Sequence, residues 1–159
     1  MGKKQSSRKI TSEKCAARVM ETIPLAMRFI RADIRSRNST TMSVPQFRTL
    51  AFLDRNPGAS LSDLAEHLGV TRATASANTE RLVQRDFVHR CDDPKERRRV
   101  VLNLTEAGKV HLEECRSQTR SRISDLLNSL TEQQIVLIEE GLTLLKDVLE
   151  DNSLEPPEE

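Results

Sequence analysis

The segment Leu61–Ser76, LSDLAEHLGVTRATAS, constrains the local fold more than any other stretch of the chain. Ser60-Leu61-Ser62-Asp63 resembles a capping box, with a hydroxyl at the helix start and a carboxylate three residues on. Leu64, Ala65 and Leu68 share one helical face, and Gly69 supplies the backbone freedom that ends a helix. Thr71 then opens a second helix two residues later. Two short helices joined by so tight a turn make a helix-turn-helix, with Val70 expected as an apolar plug between them.

The flanking residues extend the motif. Ser43-Val44-Pro45-Gln46 is a capping box with proline in the first turn, and Phe47, Leu50, Ala51 and Leu53 follow at helical spacing until Asn56-Pro57-Gly58. Downstream, Phe87 and Val88 begin a strand. The stretch DDPKERRRVVLNLT, Asp92–Thr105, supplies a turn and a return strand in which Val100, Leu102 and Leu104 alternate with Val101 and Asn103. A β-hairpin directly after a helix-turn-helix defines a winged helix. It is expected over residues 43–104, with the second helix of the motif at about 71–85 and the wing at about 87–104.

Long striped helices are expected at both ends. Ala16, Met20, Ile23, Met27, Ile30 and Ile34 step by threes and fours within the region 10–40, although Pro24 should break the helix and let Thr22 cap a fresh one. Residues 105–150 read as two helices, the second opened by the capping box Thr131–Gln134 and striped by Ile135, Ile138, Leu142, Leu145 and Leu149. A small winged-helix core cannot cover both stripes. They should bury each other and a second copy, so the fold class is mainly α with a small β-hairpin wing, a winged helix-turn-helix whose N- and C-terminal helices form a dimerisation domain. Residues 1–9 read as a disordered basic arm and 151–159 as an acidic tail.

Charge sharpens the functional reading. A net charge of +1 hides ten Lys/Arg against three Asp/Glu in residues 1–37, eight against five in 71–99 and five against thirteen in 105–159. Basic segments within a near-neutral total suit a protein that turns one face to a polyanion. Aromatic residues make up 3% of the chain, too few to stack single-stranded bases. Cys15, Cys91 and Cys115 are odd in number and lack CxxC spacing, which argues for a reducing compartment, the cytoplasm. No apolar run approaches the roughly 18 residues of a membrane span. Without a glycine-rich phosphate loop, a triad or paired carboxylates, the chain is expected to be no enzyme and to need no cofactor.

On the helix from Thr71 to Arg85, Ala75, Thr79 and Leu82 should face the core, while Ala73, Ser76, Ala77 and Glu80 face away with Thr74, Arg81 and Arg72 beside them. Small and hydroxyl side chains allow close approach to a groove of double-stranded DNA, and arginine can read base edges or hold phosphates. Lys95, Arg97, Arg98 and Arg99 crowd the hairpin tip, where guanidinium groups suit the negative potential of a narrow minor groove.

Together, SVPQFRTLAFL, LSDLAEHLGVTRATAS and DDPKERRRVVLNLTEAG resemble the MarR family of bacterial repressors over residues 20 to 150. The resemblance implies a nucleoid-associated homodimer that sets two winged helices in consecutive major grooves of a pseudo-palindromic operator. Contacts would come from Thr71, Arg72, Thr74, Ser76 and Arg81 and from the wing's Lys95, Arg97, Arg98 and Arg99, with Glu96 in place of the usual aspartate orienting Arg98. Ala77 stands where relatives often carry a long polar side chain, and Asp86 where they commonly have glycine. The resemblance further implies a sensor. A small anionic aromatic effector would meet Arg28, Arg31 or Arg48. A redox sensor would use Cys15, in a basic setting that favours thiolate. A winged helix used only for protein interaction is the remaining alternative. His111 and Cys115 lie four apart on one helix, a spacing more often packing than metal binding, so no metal is expected.

Overall fold

The computed structural model describes residues 10–37, 42–92 and 100–152. The elements run α1 (Ser12–Arg37), α2 (Val44–Arg55), β1 (Ala59–Ser60), α3 (Leu61–Leu68), α4 (Arg72–Gln84), β2 (Val88–Asp92), β3 (Val100–Leu104), α5 (Glu106–Leu127) and α6 (Glu132–Asn152). The chain divides into two compact units, Met1–Thr119 and Arg120–Glu159. The basic arm, the loop 38–41, the hairpin tip 93–99 and the tail 153–159 lie outside the described residues.

Local chemistry sets the helix starts. Ser43 accepts a bond from the Gln46 N–H while Gln46 returns its side chain to the Ser43 N–H at 2.9 Å. Ser60 and Asp63 repeat the exchange, with the Ser60 N–H donating to Asp63 Oδ2 at 2.8 Å. Thr131 and Gln134 do the same at the start of α6. Each exchange satisfies two amide donors that the first helical turn leaves unpaired. Gly69 closes α3 in the left-handed region at φ 67°. Asp86 takes φ 58°, a conformation that aspartate adopts more easily than most residues.

The core of the first unit forms around α2, α3, α4 and the sheet. Met42, Leu50, Leu53, Leu64, Leu68, Leu82, Val88, Leu102, Leu104 and, from α5, Leu112 are buried together. The sheet is antiparallel in the order β1-β3-β2, with Ala59 opposite Leu102 and Val88 opposite Leu104. Sequence periodicity does not reveal β1, because two residues carry no alternation. As the middle strand, β3 also breaks the expected pattern: Val101, Leu102 and Leu104 are buried and Val100 is half exposed.

Two further expectations fail. Pro24 lies inside a single continuous α1, with no fresh start at Thr22. Proline removes one donor and crowds one carbonyl, a local defect that the turns on either side bridge. Val70 does not plug the helix-turn-helix. Its N–H bonds Ala65 O while its side chain is 38% exposed, because Gly69 turns the chain outward at that point.

Helix α5 is fastened along its first half. Gly108 lies so close to the Phe87 carbonyl that a Cβ there would sit 2.0 Å from the oxygen. Thr105 N–H donates to the same carbonyl, and Thr105 Oγ1 accepts from Gly108 N–H at 2.9 Å. Further along, Arg116 pairs with Asp54 of α2 at 2.8 Å, and Thr119 donates to the buried Asp33 of α1 at 2.9 Å. At the other end of the apolar supply, α1 buries Ile34 but leaves Met20, Ile23 and Met27 exposed. No residue of α6 is buried. Among the described residues no helix is long and apolar enough to cross a membrane.

Candidate nucleic-acid interface

The inner face of α4 is fixed by Ala75, Thr79 and Leu82, all fully buried. Thr79 Oγ1 donates to the Ala75 carbonyl at 2.8 Å, so its hydroxyl is not left unpaired inside the core. Asn78 adds a polar anchor that sequence reasoning missed. Its amide donates to Thr49 Oγ1 at 2.6 Å and to the Pro45 carbonyl at 3.3 Å, tying α4 to the first two turns of α2.

With the inner face held, the outer face is defined. Thr71 caps α4, accepting from the Thr74 N–H, and the two hydroxyls lie 2.9 Å apart. Arg72, Ala73, Thr74, Ala77, Glu80 and Arg81 are exposed and Ser76 is half-buried. This surface has hydroxyls and an arginine at its N-terminal end, methyl groups in the middle and Arg81 a little further along. It lets a partner surface come close and meet hydrogen-bonding groups there.

Beside it opens a cleft of about 470 Å³, walled by Ser60, Ser62, Arg72, Ser76 and Arg90 over Leu61, Val100 and Leu102. It brings together the start of α3, the start of α4 and the root of the hairpin. Arg90 of β2 pairs with Glu80 of α4 at 3.0 Å. No local sequence motif marks Arg90 or its partnership. The available signal was strand parity, since Arg90 stands two residues from the buried Val88 and so leans to the helix side of the hairpin.

The remaining expected residues are scattered. Arg28 and Arg31 are exposed on α1. Arg48 instead reaches from α2 to the carbonyls of His67 and Leu68 at 3.3 and 3.4 Å, where it satisfies the C-terminal end of α3. His67 stacks on Phe52 at 4.5 Å; the loss of water there, then the charges of Arg48 and Arg55, hold its pKa below the ordinary 6.5. The fold thus favours the neutral imidazole. Cys15 is exposed and Cys91 and Cys115 are partly buried. His111 stacks on Phe87 at 4.5 Å, with Nδ1 3.6 Å from Glu114, while Cys115 packs against the core. Lys95, Glu96, Arg97, Arg98 and Arg99 all fall on the hairpin tip, outside the described residues.

The arrangement matches known proteins. Residues 40–99 fit the model of the MarR family. The HTH-type transcriptional regulator YfiV of Bacillus subtilis is 28% identical over 118 residues, 74% of either chain. The HTH-type transcriptional repressor MdtR of the same organism is 25% identical over 77% of this chain and 83% of its own. In structure, FabT of Streptococcus pneumoniae, solved in complex with DNA, superposes with a TM-score of 0.60 at 21% identity, covering 86% of this chain and 98% of FabT. The order of elements is that of a winged helix, and residues 40–99, which span the helix-turn-helix and run into the hairpin, are similar to the MarR family of transcriptional regulators.

Proposed function

We propose that the protein is a sequence-specific DNA-binding repressor that acts as a homodimer on a pseudo-palindromic operator in the cytoplasm. The observation that carries this reading is α4, locked inward by Ala75, Thr79, Leu82 and Asn78 and presenting Thr71, Arg72, Thr74 and Ser76 outward. In this reading those four residues work in the major groove and Arg81 holds phosphate. Lys95, Arg97, Arg98 and Arg99 work at the minor groove, with Glu96 orienting Arg98. Residues 43–104 form the DNA-binding domain, while 10–40 and 105–150 pair the two copies. Half-sites then lie about one helical turn, roughly 10 base pairs, apart.

A small anionic aromatic effector that releases the operator belongs to the same proposal. Arg28 and Arg31 carry that part, since Arg48 already donates to two carbonyls. The exposure of Cys15 favours a second reading, release by oxidation of that thiol. The test is binding to a duplex enriched from a random pool by the protein itself, titrated with salt, with salicylate-like anions and with peroxide. The expected result is a log affinity that falls linearly and steeply with log salt. Arg98→Ala should lower affinity at least tenfold while helicity and assembly stay as in the wild type. A flat salt dependence, or no retention on duplex DNA at low salt, points instead to a protein-interaction module.

A further inference from the structure

An acidic side chain on a surface meant for a polyanion calls for an explanation. Glu80 is such a residue: it stands on the exposed side of α4, in line with Ala73 and Ala77, and both its carboxylate and Arg90 are about half exposed. It reaches across to the hairpin root and pairs with Arg90 Nη2 at 3.0 Å. Arg90 in turn lines the cleft that also contains Arg72 and Ser76. One carboxylate cannot use all five donors of a guanidinium, so Arg90 can hold Glu80 with one edge and offer another to an oxyanion.

We propose that Glu80 is a specificity-determining residue for DNA binding, a carboxylate that keeps Arg90 paired unless a phosphate arrives in the register that lets both share it. The inference rests on the DNA-binding reading above. On a duplex bound loosely, phosphates stand at varying distances from the cleft. Glu80 then both neutralises Arg90 and repels the backbone, so the contact adds little. On a duplex held in register by Arg72, Thr74 and Ser76, one phosphate oxygen can take the outer edge of Arg90 while Glu80 keeps the inner edge. Arg90 is then already oriented, and little side-chain freedom is lost on binding. Glu80 therefore weakens sequence-independent binding more than cognate binding, the form that discrimination takes when a repulsive element is built in.

Glu80→Gln tests this, because it keeps a hydrogen-bonding group of the same size and removes only the charge. Two probes are used: a random-sequence duplex, and a duplex enriched from a random pool by the wild-type protein. The expected result is about two- to fivefold tighter binding of the random duplex, the scale of an exposed ion pair. The slope of log affinity against log salt on that duplex should steepen by about 0.9, one added phosphate contact. Affinity for the enriched duplex should stay within about twofold, so the ratio between the probes falls. In an Arg90→Ala background Glu80→Gln should no longer change the slope, because no cation remains to be released. An unchanged ratio, or the same steepening without Arg90, overturns the proposal. If the wild-type protein holds neither duplex, the DNA-binding reading fails and takes this inference with it.

Discussion

Asn78 shows how a residue outside the expected contact set can govern that set. Its amide reaches a fully buried threonine hydroxyl on α2, and nothing in the sequence around it marks it as different from its exposed neighbours. Asn78→Ala leaves Thr49 Oγ1, on a residue buried in the wild type, without that donor. The expected cost is about 1–2 kcal/mol, the penalty for a buried polar group that loses a partner. Urea denaturation measures it directly, and a change within error of zero would show that Thr49 is satisfied through its own bond to Pro45. Affinity for DNA should fall as well, because that bond is one of the ties that hold α4 against α2. Arg48 has the converse character. Its long side chain suggests a ligand contact, yet it spends two nitrogens on the end of α3, an engagement set by tertiary placement that no local pattern records.

Among the elements, helix starts were legible and cross-element ties were not. The three Ser/Thr-to-Gln/Asp exchanges are written within four residues each, so sequence displays them in full. The inward face of α4 was legible for the same reason, since period alone separates Ala75, Thr79 and Leu82 from the rest. By contrast, β1 is too short to have a period, and the Glu80–Arg90 pair and the Asn78–Thr49 bond join separate elements. The apolar character of Val70 does not by itself imply burial, since the residue follows the left-handed turn at Gly69 and is exposed. The junction of the hairpin with α5 carries its own prediction. Alanine in place of glycine favours a helix by about 1 kcal/mol. At position 108 the new methyl would meet the Phe87 carbonyl, a backbone atom that cannot swing aside. Overpacking costs of about 1–3 kcal/mol are the usual range for far milder crowding. Gly108→Ala should therefore lower the melting temperature despite the better propensity, whereas a rise would mean that the joint yields.

At the scale of the whole molecule, the unspent quantity is apolar surface. Ile135, Ile138, Leu142, Leu144, Val148 and Leu149 are exposed along α6, and Met20, Ile23 and Met27 along α1. Burying one leucine is worth about 1.5–3 kcal/mol, and a two-fold interface counts each substitution twice. For the proposed homodimer, Leu142→Glu should then shift the species in sedimentation from twice 18.0 kDa toward 18.0 kDa at micromolar concentration. The DNA-reading unit should keep its helicity, since Leu142 lies outside it. A variant that sediments as the wild type does would remove α6 from the pairing surface.

The weld between Phe87 and Gly108 also bears on what the protein can tolerate in its DNA. The carbonyl that follows the reading helix is pressed against the first turn of α5, and Arg116 grips Asp54 two turns on, so α5 holds the reader at two points. Within the DNA-reading unit, the reading helix and the first turns of α5 are fastened to each other. In the proposed homodimer, two such readers joined through their helices would act like the jaws of a fixed-gauge caliper, for which an operator stretched by one base pair is a different-sized part.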